Sequence, residues 1–161
     1  AEEELRAFAK HGGTLVVDTT VTALGRNPRA LRRLSEATGV HIVMGSGYFR
    51  SPTHPAHLAS ESAADIAKKI ELELVGGSVD SDADARIYPG VIGAVGLSAQ
   101  MDSAEKKVLS AASIAQAATG APLYLDLVCC ARDALAVLDM VQASGGDVKK
   151  TVLLGMGPVV E

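Results

Sequence analysis

The stretch Gly90-Val91-Ile92-Gly93-Ala94-Val95-Gly96 decides the fold of this chain. It is a short apolar run bounded by glycine, and such runs are typical of strands buried on both faces. We therefore predict a strand over 91–97. Asp102 predicts the N-cap of the helix that follows, and Glu105 three residues later completes the pattern of a capping box. Gly120 predicts the end of that helix.

The same alternation of an apolar run and an amphipathic helix extends in both directions. Asn27 followed by Pro28 predicts the start of another helix, and Gly39 predicts its end. The predicted strands are 14–20, 40–45, 91–97, 123–127 and 152–154, and the predicted helices are 2–11, 28–38, 62–75, 103–119 and 131–143. Repeated units of this kind predict right-handed βαβ crossings and a parallel sheet. The pattern alone leaves a doubly wound sheet and a (β/α)8 barrel both open.

Composition and charge limit the classes of partner. The formal net charge is −4 and the basic residues fall on separate predicted helices, so no nucleic-acid-binding surface is expected. The uncharged runs are strand-length or broken by glycine, which predicts a soluble chain without a transmembrane segment. Cys129 and Cys130 are adjacent, which disfavours a disulfide between them and favours a reducing compartment, the cytoplasm or an organelle matrix.

Motifs along nearly the whole chain resemble the phosphotriesterase-related family of the amidohydrolase superfamily. Family members read Gly-Val-Ile-Gly-Glu-Ile-Gly where this chain has its Gly90 to Gly96 stretch. Further matching segments are Gly13 to Asp18, Gly25 to Pro28, Thr38 to Phe49, His54-Pro55, Glu105 to Leu109, Ala115-Gln116, Thr119 to Leu123 and Gly145 to Leu154. The resemblance implies a partial (β/α)8 barrel with five parallel strands and outer helices. It also implies one incomplete domain over 1–161, from the first helix to the sixth strand of the family barrel.

The family's active site holds two divalent metals such as zinc, and the resemblance shows which residues of this chain stand at the ligand positions. The bridging glutamate or carbamylated lysine falls on Ala94, the fifth-strand histidine on Asp126 and the sixth-strand histidine on Met156. The first-strand His-x-His pair precedes residue 1, and the eighth-strand aspartate lies beyond Glu161. A methyl group cannot bind a metal, and a thioether is a poor ligand for a hard or borderline dication. We therefore expect no metal, no cofactor and no catalytic residue.

Other polar residues are weaker candidates for a site. Ser46, Tyr48 and Ser98 follow predicted strands, where barrels carry their functional side chains, and are candidate pocket-lining residues. Tyr48 could line a pocket or pack in the core, and the sequence favours neither role. No histidine is positioned to act as a base for Ser46 or Ser98, so neither serine is expected to be a nucleophile. His54 and His57 could form half of a metal site, although a surface loop is the preferred interpretation.

The residues together predict a catalytically degenerate domain that serves as a structural subunit or interaction scaffold in a larger assembly. A closed barrel typically needs about 250 residues, so five strands leave two edges and the inner face uncovered. A protein partner chain is expected to cover them. One alternative is a metal-dependent hydrolase of phosphotriesters, lactones or carboxylic esters, with ligands supplied from outside this segment. The other is a small-molecule binding module that uses a pocket around Tyr48 and Asp126.

Overall fold

A computed structural model describes residues 1–78, 86–127 and 134–156. Helices and strands alternate along the described chain, as the sequence predicts. The helices are α1 (Glu2–Lys10), α2 (Pro28–Thr38), α3 (Ala63–Gly76), α4 (Ser103–Thr119) and α5 (Ala134–Ala143), and the strands are β1 (Leu15–Asp18), β2 (His41–Ser46), β3 (Val91–Gly96), β4 (Leu123–Asp126) and β5 (Thr151–Leu154). No helix in the described ranges is long and apolar enough to cross a lipid bilayer.

The five strands form one parallel sheet in the sequential order β1-β2-β3-β4-β5. Leu125 on β4 lies opposite Val95 on β3 and Leu153 on β5, and the register of β3 with β4 shifts between Ile92 and Val95. The sheet curls into half of a barrel with helices packed on it. The predicted partial barrel is confirmed, and a doubly wound sheet is excluded because its strand order would not be sequential.

Local chemistry explains where α2 begins and ends. The Asn27 side chain accepts a hydrogen bond from the backbone N–H of Ala30 at 3.0 Å, and Pro28 occupies the first helical position. Gly39 closes the helix in the left-handed conformation with φ of 72°. Both predictions for this helix are confirmed, because each depends only on residues adjacent in sequence.

The start of α4 differs from the prediction. Asp102 is the N-cap, and its carboxylate accepts from the backbone N–H groups of Ala104 and Glu105, each at 2.8 Å. The predicted capping box is wrong, because the Glu105 carboxylate turns to Ser98 instead of reaching back to the N-cap. A true capping box is present at α3, between Ser62 and Asp65.

The hydrophobic core lies between the sheet and helices α3 and α4. Ile92, Val95, Leu123 and Leu125 are fully buried on the sheet side of this core. The helices contribute Ile66, Ile70, Val108, Leu109, Ala111 and Ala112. Side chains alternate across a strand, and along β4 the residues between Leu123 and Leu125 and after Leu125 are only partly buried. All six residues of β3 are buried.

Several strands are shorter than predicted. The predicted strand 14–20 is reduced to Leu15–Asp18, and the predicted strand 123–127 ends at Asp126. The first part of the predicted helix 131–143, and residues 79–85 of the loop between α3 and β3, lie outside the described residues. Strand ends are poorly marked in the sequence because apolar residues continue past the last paired residue.

Candidate functional site

Ala94 on β3 is buried, and Asp126 at the end of β4 is half-buried. Val95 and Leu125 are opposite each other, and both are fully buried in the core under the helices. Along β4, alternation directs Tyr124 and Asp126 away from the core that Leu125 enters, whereas the register irregularity between Ile92 and Val95 prevents the same argument for Ala94. Asp126 lies opposite Gly96 on one side and Leu154 on the other. We call the side of β4 that carries Tyr124 and Asp126 the open face.

The three predicted metal positions present a methyl group, a carboxylate and a thioether in the described chain. Ala94 is 5% exposed and presents a methyl group, while its backbone N–H donates to the carbonyl of Thr19 at 2.8 Å. Asp126 is half-buried, and Met156 is an exposed thioether two residues beyond the end of β5. The described residues contain no cluster of three or more metal-binding side chains. One carboxylate and one soft sulfur do not fit a pair of divalent ions.

The aromatic ring of Phe49 lies at the end of β3. A Cβ atom on Gly96 would come within 2.6 Å of the Phe49 ring and within 2.7 Å of the Arg50 side chain. Only glycine leaves room for this contact. The Arg50 guanidinium stacks on the Phe49 ring, with its central carbon 5.3 Å from the ring centre. The sequence does not predict this contact, because Phe49 and Arg50 are 46 or more residues from Gly96 and meet it only in the fold.

Ser98 lies in a polar cluster beside α4. Its backbone N–H and its hydroxyl donate to Glu105 Oε2 at 3.0 and 2.6 Å. The other carboxylate oxygen of Glu105 accepts from the backbone N–H of Ser51 at 3.4 Å. Glu105 is 1% exposed, so these donors replace the water it has lost. Ser98 therefore holds the end of β3 onto α4.

A cavity of about 570 Å³ lies between the end of β2, the turn at Thr22–Leu24 and α3. Ser46 and Tyr48 line it, together with residues of α3 such as Ile70 and Glu73. Ser98 and Asp126 are not among its lining residues. This cavity is therefore not the predicted pocket, which would include both Tyr48 and Asp126.

An ion pair joins Glu73, which lines the cavity, to the buried Arg26 behind it. Arg26, whose side chain is fully buried, binds the Glu73 carboxylate with both terminal nitrogens, and Nη1 also donates to the carbonyl of Gly45 at 2.8 Å. The Ser46 hydroxyl donates to the same carboxylate, and Arg26 Nη2 lies 3.1 Å from the Ser78 hydroxyl. Sequence reasoning missed this network, because Arg26 and Glu73 are 47 residues apart.

Tyr48, Lys69 and Glu61 interact at one side of the cavity. Burial raises the pKa of the Tyr48 phenol, and the Glu61 and Glu73 carboxylates add to this while Lys69 opposes it. The Lys69 ammonium donates to Glu61 Oε1, and this hydrogen bond raises the pKa of Lys69. His57 Nε2 lies 4.0 Å from the same Glu61 oxygen.

The two loop histidines have separate partners. His54 Nε2 lies 2.7 Å from the carbonyl oxygen of Phe49, whereas His57 faces Glu61. The structure thus gives each histidine a local role in the loop after β2. The adjacent Cys129 and Cys130 lie outside the described residues.

Comparison with known proteins gives a consistent set of matches. The model of the phosphotriesterase family matches residues 1–158. An N-acetyltaurine hydrolase from Danio rerio is 35% identical over 152 residues, which are 94% of this chain and 42% of that protein. A phosphotriesterase-related protein from Nematostella vectensis is 37% identical over 153 residues. The chain thus spans about 42% of the length of these curated relatives.

Solved structures match over the same extent. A resiniferatoxin-binding protein from Rhodobacter sphaeroides has a TM-score of 0.89 and 38% identity, over 98% of this chain and 43% of that one. A phosphotriesterase homology protein from Escherichia coli, solved with phosphate in its active site, has a TM-score of 0.84 at 24% identity. The match covers 94% of this chain and 51% of the chain of the Escherichia coli protein.

Proposed function

The chain belongs to the phosphotriesterase family, and from that premise we propose that it is a catalytically degenerate member that serves as a structural subunit or interaction scaffold. Its relatives include proteins named as hydrolases. The observation that carries the proposal is the residue set at the family's ligand positions. Ala94 stands where the family resemblance puts the metal-bridging residue, and Asp126, opposite Gly96 on the neighbouring strand, is a single carboxylate. Two divalent ions need several nitrogen and oxygen ligands.

The proposed partner is a polypeptide that completes the barrel. Within the described chain, β1 and β5 are the edges of the sheet, each paired on one side only. Leu15 on β1 is 51% exposed and Val152 on β5 is 37% exposed. Unpaired edges and exposed apolar side chains favour association with another strand. Any polypeptide that adds strands at these edges would also cover the open face.

A second candidate function is a metal-dependent hydrolase whose ligands come from outside this segment. Identity of 32 to 37% with relatives named N-acetyltaurine hydrolase or phosphotriesterase-related protein favours it. In that case Asp126 would supply one oxygen ligand at the end of β4, and the remaining ligands would come from the completing polypeptide.

An activity assay separates the two candidates. The purified chain, with any co-purifying partner, is supplied with zinc and tested for hydrolysis of N-acetyltaurine, a lactone and an aryl phosphotriester. The scaffold proposal expects no turnover above the buffer rate with any of them. Turnover that is abolished by a chelator and strongly reduced by Asp126→Asn would establish the hydrolase instead.

A further inference from the structure

We propose that the cavity between β2 and α3 binds a small organic anion with an apolar body, namely a medium-chain or aryl-substituted carboxylate. Its volume of about 570 Å³ lies in the range of sites for small organic ligands. The cavity is on the helix-covered side of the sheet, because Ser46 in its wall binds Glu73 of α3. It is therefore distinct from the open face, and the inference does not depend on the proposed function.

The wall of the cavity is largely apolar. Ala23, Pro55, Ile70 and Leu72 contribute aliphatic surface, and Tyr48 contributes an aromatic ring. Leu72 is 54% exposed although it lies on a helix with a buried face. A large exposed apolar side chain beside a cavity suits the hydrocarbon part of a ligand.

The charge that remains available in the cavity is positive. Glu73 is the one acidic residue among the lining side chains of the described chain, and Arg26 and Ser46 already bind its carboxylate. Lys69 and Arg86 are the lining cations, and Lys69 also pairs with Glu61, which does not line the cavity. The chain as a whole has a net charge of −4, so this excess of positive charge is local. It favours an anionic ligand.

Hydrogen-bond donors converge on one part of the wall. The Lys69 ammonium has three N–H donors and uses one of them for Glu61, whose side chain does not line the cavity. The Tyr48 phenol is close enough to Lys69 for each to affect the pKa of the other. In the described part of the chain the Tyr48 hydroxyl makes no hydrogen bond. A carboxylate could accept from Lys69 and Tyr48 while its apolar body contacts Ile70 and Leu72.

Calorimetric titration with octanoate tests the site directly. We expect saturable binding of one octanoate per chain, with a dissociation constant of about 1 mM or tighter for a ligand of this size. The neutral analogue 1-octanol has the same chain length and should bind about tenfold more weakly, because it forms no charge-assisted hydrogen bond. The methyl resonances of Ile70 should shift during the octanoate titration.

Two neighbouring lysines on α3 provide a matched pair of variants. Lys69→Gln should weaken octanoate binding about tenfold or more, and Tyr48→Phe about threefold. Lys68→Gln should change it less than about twofold, because Lys68 pairs with Glu71 and does not line the cavity. Thermal melts of all three variants check that the fold is kept.

Several results would overturn the inference. One is the absence of saturable octanoate binding, and another is equal affinity for octanol and octanoate. The inference also fails if Lys68→Gln and Lys69→Gln weaken binding equally, or if the Ile70 methyl resonances do not shift during the titration. If Lys69→Gln does not fold, the Tyr48→Phe variant and the Ile70 resonances of the unaltered chain decide the question.

Discussion

Glu105 accepts two hydrogen bonds from Ser98, one from its hydroxyl at 2.6 Å and one from its backbone N–H at 3.0 Å. This contact joins the first turn of α4 to the chain just after β3. Because Glu105 is 1% exposed, removing its carboxylate leaves buried donors without a partner. The Glu105 side chain, which the sequence pattern assigns to a helix cap, thus connects α4 to the chain that follows β3.

The first prediction concerns the stability that this contact provides. Glu105→Ala should lower the free energy of unfolding by about 2–4 kcal/mol, because two donors of Ser98 and one of Ser51 lose their acceptor. Glu36→Ala, on the exposed side of α2, should change it by less than about 0.5 kcal/mol. Urea unfolding followed by circular dichroism measures both. Equal small effects in the two variants would show that the Glu105 cluster contributes little.

The second prediction concerns the pKa values of two helix-capping carboxylates. The hydrogen bond from Ser62 lowers the pKa of Asp65 below 3.8, and the hydrogen bonds from Ser51 and the Glu105 backbone lower that of Asp102. A lowered pKa in the folded chain means stabilisation that is present above the ordinary value near 3.8 and lost as the pH falls through the folded-state value.

A carboxyl NMR titration between about pH 2 and 6, a window that brackets the ordinary aspartate value, should show both groups titrating below that value. Ser62→Ala should raise the pKa of Asp65 toward its ordinary value and leave that of Asp102 unchanged. If Asp65 keeps its lowered pKa in this variant, the capping box is not its cause.

The third prediction concerns the open edge of β5. If another polypeptide pairs there, Val152→Lys should weaken the association about 100-fold or more, since burying an unpaired charge costs about 3 kcal/mol. Val148→Lys is the control, because Val148 is also 37% exposed but precedes the strand. Sedimentation at micromolar concentration measures the association. A wild-type chain that remains a monodisperse monomer would refute a partner at this edge.

The fourth prediction is that restored ligand types will not restore an enzyme. Ala94→Glu, Asp126→His and Met156→His together add three metal-binding side chains, but Met156 is 45% exposed and Asp126 is half-buried, so water reaches two of the three positions. Electrostatic stabilisation of a transition state is weak in such a site. Glutamate at the 5%-exposed position of Ala94 should also lower stability by about 1–3 kcal/mol. Zinc-dependent lactone hydrolysis by the triple variant would contradict the prediction.

The sequence predicted those features that depend on neighbouring residues or on the family resemblance. Asn27 and Gly39 mark α2 correctly because a cap needs only the adjacent backbone. The sheet order followed from the alternation of strands and helices together with the resemblance. Glu105 was assigned wrongly because the capping pattern is local, whereas its actual partner Ser98 lies outside the helix.

The cavity could not be predicted from the sequence. Glu73 lines the cavity and is paired with Arg26. These two residues become neighbours only when the chain after β1 packs against α3. The sequence does not show which of Lys68 and Lys69 would line a cavity. The orientation of α3 about its axis places Lys69, and not Lys68, in the cavity wall. The residues that carry a recognisable pattern are therefore different from the residues that form the new candidate site.

The measurement that tests the central claim most directly is the metal content of the purified chain after exposure to excess zinc and removal of the unbound ions. If the chain is the degenerate member proposed above, elemental analysis should find well below one zinc per chain, and the Asp126→Asn variant should give the same value. About two zinc ions per chain, lost in Asp126→Asn, would show an assembled binuclear centre and contradict the degenerate-site account.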